Sequence, residues 1–167
     1  RKVQLAGAAA YLLKDLDTPG LVERLQALAG RGEKPLVTYT RILVPLDGSK
    51  LSEQAVPFAA TLASALGSGI ELIRVFGSAS PDMADPGRGL YVHQLDAGFR
   101  EQALDYLNQV EQSIGDLAVK VSCRADGGDP ASWIINEAEK VPGTLIIMST
   151  HGRSGIDRWL MGSVAEK

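Results

Sequence analysis

The hydrophobic pattern of residues 41–76 predicts a strand, a helix and a second strand. RILVP (41–45) and IELIRVF (70–76) are short, nearly continuous apolar runs, which are typical of strands buried on both faces of a parallel sheet. Apolar residues recur at helical spacing through 51–66, and we expect Gly67 and Gly69 to end that helix. This order predicts a β-α-β unit.

Residues 103–123 predict another helix and another strand. Helical spacing relates four apolar positions: Ala103, Leu107, Val110 and Ile114. Apolar residues then alternate with polar ones at four positions: Leu117, Val119, Val121 and Cys123. Alternation with a period of two predicts a strand with one exposed face, at a sheet edge.

Residues 129–149 predict the next helix and strand. Asp129 is a typical N-cap, and Pro130 suits the first helical position. We expect the inward face of this helix to carry Ile134, Ile135 and Ala138. TLIIMS (144–149) then predicts another buried strand. Strands and helices that alternate in this way predict an α/β fold with a doubly wound parallel sheet.

The N-terminal region has a different pattern. Apolar residues at helical spacing in 3–16 and again in 21–28, with Thr18-Pro19 between them, predict an N-terminal helical hairpin. The polar stretch RGEKP follows. We therefore expect an N-terminal helical appendage and linker in 1–36 and an α/β domain in 37–167.

Composition narrows the classes of function. A formal net charge of −3 and a pI near 5.4 argue against nucleic-acid binding, which needs a basic face. Cys123 is the only cysteine, so an internal disulfide framework and a multi-cysteine metal site are excluded, and a reducing cytoplasm is the expected location. No apolar run approaches the roughly 20 residues of a membrane span.

Candidate binding chemistry lies where the predicted strands end. In doubly wound sheets, ligands bind outside the carboxyl ends of the strands, which here are followed by Asp47, Val75 and Ser149. Gly152 and Gly162 enclose nine residues, 153–161, and a helix is predicted to start just after Gly162. Glycines let main-chain N–H groups approach a phosphate, and a helix N-terminus favours an anion.

Three sequence motifs resemble those of the universal stress protein family from about Thr40 to Lys167. They are VPLDGS after the first strand, GDPA before a helix, and LIIMSTHGRSG with GSVAEK at the end. The resemblance implies a Rossmann-like fold of the adenine nucleotide alpha hydrolase type. It also implies a cytoplasmic stress-response regulator that binds ATP, AMP or ADP, with Mg²⁺ as a possible companion ion.

The resemblance also implies which residues bind the nucleotide. In the nucleotide-binding branch, a motif of glycine, two residues, glycine, nine residues, then glycine with serine or threonine surrounds the phosphates. Here serine replaces the first glycine. The adenine and ribose positions correspond to Pro45, Leu46, Asp47 and Val75. The phosphate positions correspond to Ser149, His151, Gly152, Arg153, Gly162, Ser163 and Val164.

Several alternatives stay open at this point. Asp47 could merely cap the following helix, Gly152 and Gly162 could be plain turn glycines, and His151 could be structural. Ser149 could disable the cleft, which would leave a nucleotide-free interaction or regulatory module. Any ATP hydrolysis is expected to be slow, because the sequence lacks the lysine of a P-loop. The resemblance further implies a homodimer formed through a last strand, which we expect to lie outside this chain.

Overall fold

The computed structural model describes residues 39–80, 91–115 and 119–149, together with Gly20, Glu23 and Val164. The chain divides into two compact units, Arg1–Leu36 and Val37–Lys167. Gly20 and Glu23 are helical, and the rest of the predicted hairpin lies outside the described residues. The elements below all belong to the second unit.

The described strands form one parallel sheet of four strands in the order β3-β2-β1-β4. Their bounds are Arg41–Pro45 for β1, Gly69–Phe76 for β2, Val121–Gly127 for β3 and Thr144–Ile146 for β4. In the register, Val44 lies opposite Leu72, and Leu72 lies opposite Cys123. The prediction of a doubly wound parallel sheet is confirmed.

Helices cover both faces of this sheet. Their bounds are Lys50–Glu53 for α1, Ala55–Leu66 for α2, Val92–Ile114 for α3 and Pro130–Glu139 for α4. The helices α2 and α3 contact each other and the strands β1, β2 and β3. On the other face, Ile134 of α4 packs against Leu43 and Ile73. Crossovers between parallel strands are right-handed as a rule, so a strand order that runs one way from β1 to β3 and the other way to β4 is expected to place helices on both faces.

The centre of the sheet is the core of the domain. Its fully buried side chains come mainly from β1 and β2: Ile42, Leu43, Val44, Ile70, Leu72 and Ile73. Burial of each aliphatic side chain contributes on the order of 2 kcal/mol. Because both faces are covered, these two strands have no solvent-facing row, which explains their continuous apolar sequence.

Two predicted helix boundaries are confirmed. Gly67 adopts the left-handed conformation with φ of 66°, and its N–H bonds the Ala63 carbonyl as α2 ends. At the start of α4, the Asp129 carboxylate accepts the Ser132 N–H at 3.0 Å, and Pro130 occupies the first turn. Gly69 does not help to end the helix, since it is the first residue of β2.

The predicted helix over 51–66 is interrupted at Gln54, between α1 and α2. Pro57 accounts for the break, because it lacks the N–H that would bond the Glu53 carbonyl in a continuous helix. At Gln54, the main-chain N–H bonds the carbonyls of Leu51 and Ser52 rather than the carbonyl four residues before it. The chain thus takes a tighter turn before α2 begins.

Three burial predictions need correction. Ile135 is 37% exposed, because it follows the buried Ile134 by one residue and points about 100° away around the helix. The predicted buried strand over 144–149 has only three residues, and Ile146 is also 37% exposed. Along β3, Val119 precedes the strand and the fully buried residue is Ala125, whereas Cys123 is only partly buried. Leu117 lies outside the described residues.

Candidate strand-end site

The ends of β1 and β4 lie side by side at one edge of the sheet. Leu43 pairs with Ile146, and the Ile147 N–H continues the ladder by bonding the Leu43 carbonyl at 2.9 Å. From β1 the chain leads to β2 on one side, whereas β4 lies on the other side. The strand order therefore reverses here, so the segments that follow β1 and β4 flank the crevice where such sheets bind ligands.

Asp47, the second residue after β1, has a carboxylate held by its own turn. Its Oδ1 accepts the Ser49 N–H at 2.9 Å and the Ser49 hydroxyl at 2.6 Å. Gly48, with φ of 87°, supplies the left-handed backbone conformation between the two residues. Because two donors meet one oxygen, the carboxylate has a defined orientation at the end of β1.

Ser49, and not Asp47, caps the helix after the first strand. The Ser49 hydroxyl accepts the Ser52 N–H at 3.1 Å, and the Ser52 hydroxyl donates to the Ser49 carbonyl at 2.9 Å. Asp47 therefore contributes to the cap only indirectly, because its carboxylate accepts a hydrogen bond from the Ser49 hydroxyl that caps the helix. Sequence reasoning missed the role of Ser49, although aspartate followed two residues later by serine is typical of such side-chain turns.

The other three predicted contacts to adenine and ribose differ in burial. Leu46 is only 3% exposed, and its N–H bonds the Ile73 carbonyl at 2.8 Å, so its side chain belongs to the core. Pro45 ends β1 and Val75 lies near the end of β2, and both are partly buried. Asp47 follows β1, and Val75 lies near the end of the neighbouring strand β2. Both residues are therefore at the same edge of the sheet.

Two of the predicted phosphate positions are described. Ser149 is partly buried and follows β4 by three residues. Val164 packs against the buried cluster of Leu43, Ile73 and Ile134, on the α4 face of the sheet. The remaining predicted positions lie outside the described residues: His151, Gly152, Arg153, Gly162 and Ser163.

An ionic cluster around the buried Glu137 lies at the start of β1, away from Asp47. Arg41 bonds Glu71 at 2.8 Å, and its Nη2 donates to the Glu137 main-chain carbonyl at 2.7 Å. The Glu137 carboxylate accepts Arg124 at 2.9 Å and Lys140 at 2.8 Å. Sequence reasoning missed this cluster, whose only signal is an acidic residue three positions after the buried Ile134.

The cations around Glu137 keep its carboxylate ionised. Glu137 is 5% exposed, and burial alone would raise its pKa. The hydrogen bond from Lys140, the charge of Arg124 and the hydrogen bond from Arg41 outweigh that effect and lower the pKa below its ordinary value. The cluster ties β1, β2, β3 and α4 together, which is a structural role.

The described residues show little sign of nucleophilic or metal chemistry. Burial and the neighbouring Glu111 raise the pKa of the Cys123 thiol to about 12, so the thiol stays protonated at neutral pH. In the described parts of the chain, no group of three His, Cys, Asp or Glu side chains could hold a metal ion. The helices described there are too short or too polar to cross a membrane.

The architecture defines a class of protein. A parallel sheet covered by helices on both faces, with polar residues where the strand order reverses, is a Rossmann-like α/β domain. The Universal stress protein family model matches residues 38–167, and the chain belongs to this family.

Curated relatives support this assignment. Universal stress protein MJ0531 of Methanocaldococcus jannaschii is 32% identical over 129 residues, which are 77% of this chain and 75% of the relative. Universal stress protein YxiE of Bacillus subtilis is 25% identical over 134 residues, which are 77% of this chain and 90% of the relative.

Solved structures share the fold. The hypothetical protein MJ0577, studied as a test case of structural genomics, superposes with a TM-score of 0.65 at 25% identity, over 78% of this chain and 88% of that one. Universal stress protein UspA from Lactobacillus plantarum also gives a TM-score of 0.65, at 23% identity, over 78% of this chain and 90% of that one.

Proposed function

We propose that this universal stress protein binds ATP or a related adenine nucleotide at the carboxyl ends of β1 and β4 and acts as a cytoplasmic stress-response regulator. The observation that carries the proposal is the oriented Asp47 carboxylate beside the reversal of strand order. A carboxylate accepts hydrogen bonds only, which suits the hydroxyl groups of a ribose.

In this proposal, the adenosine lies beside the ends of β1 and β2. Pro45 and Val75 are partly buried, so their side chains can contact the base and ribose while Asp47 accepts from ribose hydroxyls. Leu46 contributes through its main chain, because its side chain is in the core. This division of roles separates base packing from hydroxyl recognition.

The phosphates are assigned to the segment after β4. Ser149 leads into it, and Gly152, Gly162 and Ser163 have the motif spacing of the nucleotide-binding branch. His151, Arg153 and the main chain at Val164 complete the set. Main-chain N–H groups at glycines and at a helix start would bind the phosphate oxygens, with Mg²⁺ as a possible companion ion.

A relative with the same fold supports an adenine-containing ligand. One solved universal stress protein is a complex with cAMP, with a TM-score of 0.51 at 23% identity over 77% of this chain. We assign binding and signalling rather than rapid catalysis, because the sequence lacks the lysine that P-loop enzymes use. The regulator would act as a homodimer or another self-associated form.

Calorimetric titration of ATP into the wild type and the Asp47→Asn variant tests the proposal. Asparagine keeps an oxygen for Ser49 but replaces the second carboxylate oxygen with an amino group, which cannot accept from a hydroxyl. We expect the variant to bind ATP at least about tenfold more weakly, since hydrogen bonds to charged groups are among the stronger ones. Equal affinities, or no binding by the wild type, would contradict the proposal.

A matched control is available at the start of α4. Asp129 accepts the Ser132 N–H at 3.0 Å and the Ser132 hydroxyl at 2.7 Å, much as Asp47 accepts those of Ser49. Asp129 follows β3, at the far side of the described sheet from β4. Asp129→Asn should therefore leave ATP affinity unchanged, which separates a binding effect from the loss of a turn carboxylate.

Ser149 favours a second candidate function, a nucleotide-free interaction or regulatory module of the same fold. It stands where the binding motif has its first glycine, and a side chain there could obstruct the close approach of a phosphate. An absence of nucleotide binding by the wild type, with binding gained in Ser149→Gly, would favour this second candidate.

A further inference from the structure

The main-chain groups of β3 show which side of the strand faces outward. The Ile70 N–H bonds the Lys120 carbonyl at 2.9 Å, and the Gly128 N–H bonds the Phe76 carbonyl at 2.9 Å. The main-chain N–H and carbonyl groups of the even-numbered residues in this segment therefore face β2. Because successive residues of a strand alternate, the N–H and carbonyl groups of Ala125 and Gly127 face the opposite side. Among the described strands, β3 lies at that edge of the sheet.

One side chain from α3 bonds this outward edge. Arg100 donates to the Ala125 carbonyl at 3.1 Å through one guanidinium nitrogen, and to Asp126 Oδ1 at 3.0 Å through another. The same carboxylate oxygen accepts the Gly127 N–H at 3.0 Å. The outward-facing Ala125 carbonyl and Gly127 N–H are thus both hydrogen-bonded within the domain.

These two groups are the pair that an added strand would need. In a parallel ladder, a residue placed opposite Asp126 would donate to the Ala125 carbonyl and accept from the Gly127 N–H. An exposed edge strand presents such groups as a template for pairing with another chain. Arg100 and Asp126 occupy both groups at the C-terminal part of β3.

Stability alone does not explain the Arg100 contact. Its side chain is 52% exposed and that of Asp126 is 31% exposed, and ion pairs at such positions contribute little to folding. Burial would raise the pKa of Asp126, but the hydrogen bonds from Gly127 and Trp133 and the Arg100 charge lower it. The carboxylate therefore stays ionised and able to hold both donors at neutral pH.

We propose that the Arg100–Asp126 bridge blocks the β3 edge against strand pairing with a second copy of this chain. The bridge restricts which surfaces of the domain can self-associate. Its contacts lie along β3 and α3, so it does not depend on nucleotide binding at the β1 and β4 ends.

Sedimentation velocity over a concentration series, with the full chain, tests this inference. Arg100→Ala removes the donors to Ala125 and Asp126, and Lys50→Ala is the matched control. Like Arg100→Ala, Lys50→Ala removes one positive charge and one surface ion pair, here the 2.8 Å pair with Glu53. Lys50 lies on α1, away from the β3 edge. We expect self-association of Arg100→Ala to strengthen about tenfold over wild type, because the Ala125 carbonyl becomes available and the Asp126 carboxylate loses the guanidinium that holds it. Lys50→Ala should match wild type.

Hydrogen exchange of the associated Arg100→Ala variant identifies the surface used. Strand pairing at this edge should slow exchange at the outward N–H groups of Cys123 and Ala125, relative to the dilute variant. Unchanged self-association of Arg100→Ala would overturn the inference. So would stronger association without slowed exchange at those two groups, or an equal increase in Lys50→Ala.

Discussion

Asp47 Oδ1 accepts two hydrogen bonds from Ser49, one from the main-chain N–H at 2.9 Å and one from the hydroxyl at 2.6 Å. The same hydroxyl accepts the Ser52 N–H as the cap of α1. The start of this helix and the orientation of a carboxylate at the end of β1 therefore depend on one serine. Changes at Ser49 should affect both.

Ser49→Ala is expected to lower the free energy of unfolding by about 1 kcal/mol, because it removes the N-cap oxygen and one donor to Asp47. Urea denaturation followed by circular dichroism measures this change. Ser49→Thr keeps a hydroxyl at the cap and should stay close to wild type. A Ser49→Ala variant as stable as wild type would show that the cap contributes nothing to folding.

Glu137→Gln should destabilise the fold by about 2 kcal/mol at neutral pH, because the buried Glu137 side chain loses the charge that strengthens its hydrogen bonds with Arg124 and Lys140. The loss should shrink in acid. Since the folded-state pKa of Glu137 is lowered, its contribution is complete above the unfolded-state pKa of about 4.3 and is lost as the pH falls through the folded-state pKa.

Urea denaturation at a series of pH values from about 7 to 3 tests this prediction at Glu137. The wild type should lose stability toward acid more steeply than Glu137→Gln. Glu139→Gln changes an exposed glutamate of the same helix and should follow the wild-type curve. Parallel curves for wild type and Glu137→Gln would contradict the prediction.

Gly67→Ala should cost about 1 kcal/mol, because the φ of 66° at this position disfavours a side chain even though the space around it is open. Gly77 is also surrounded by open space but lacks a left-handed φ, so Gly77→Ala should be nearly neutral. Thermal denaturation compares the two variants. Equal melting temperatures would show that the conformation of Gly67 carries no penalty for alanine.

Ser149→Gly restores the first glycine of the phosphate motif and should strengthen ATP binding. We expect the gain to be larger for ATP than for adenosine, because the substitution acts on the phosphate side of the site. Calorimetric titration with both ligands measures the difference. An equal gain for both ligands, or none for either, would place Ser149 outside the phosphate contacts.

The sequence predicted the strands and helix ends whose form depends on burial or on local chemistry. Continuous apolar runs identified β1 and β2 because both strands are covered on two faces, and Gly67 and Asp129 marked helix boundaries through local chemistry. Ile135 and Ile146 were predicted to be buried and are partly exposed. Hydrophobicity alone does not say which side of an element is covered or how far an outer strand is paired.

For the candidate site, the sequence located the strand ends but not the bonds between side chains. The position of Asp47 followed from strand-end reasoning, and its link to Ser49 depends on a turn geometry that composition only suggests. The Glu137 cluster depends on residues brought together from β1, β2, β3 and α4. A single sequence carries no direct record of such distant pairings.

The most direct test of nucleotide binding is a crystal structure of the full chain grown with ATP. We predict density for adenosine beside Asp47 and Val75, with the phosphates at the segment that follows Ser149. Density for ATP at another surface, or none in crystals grown at saturating ATP, would contradict the proposed site.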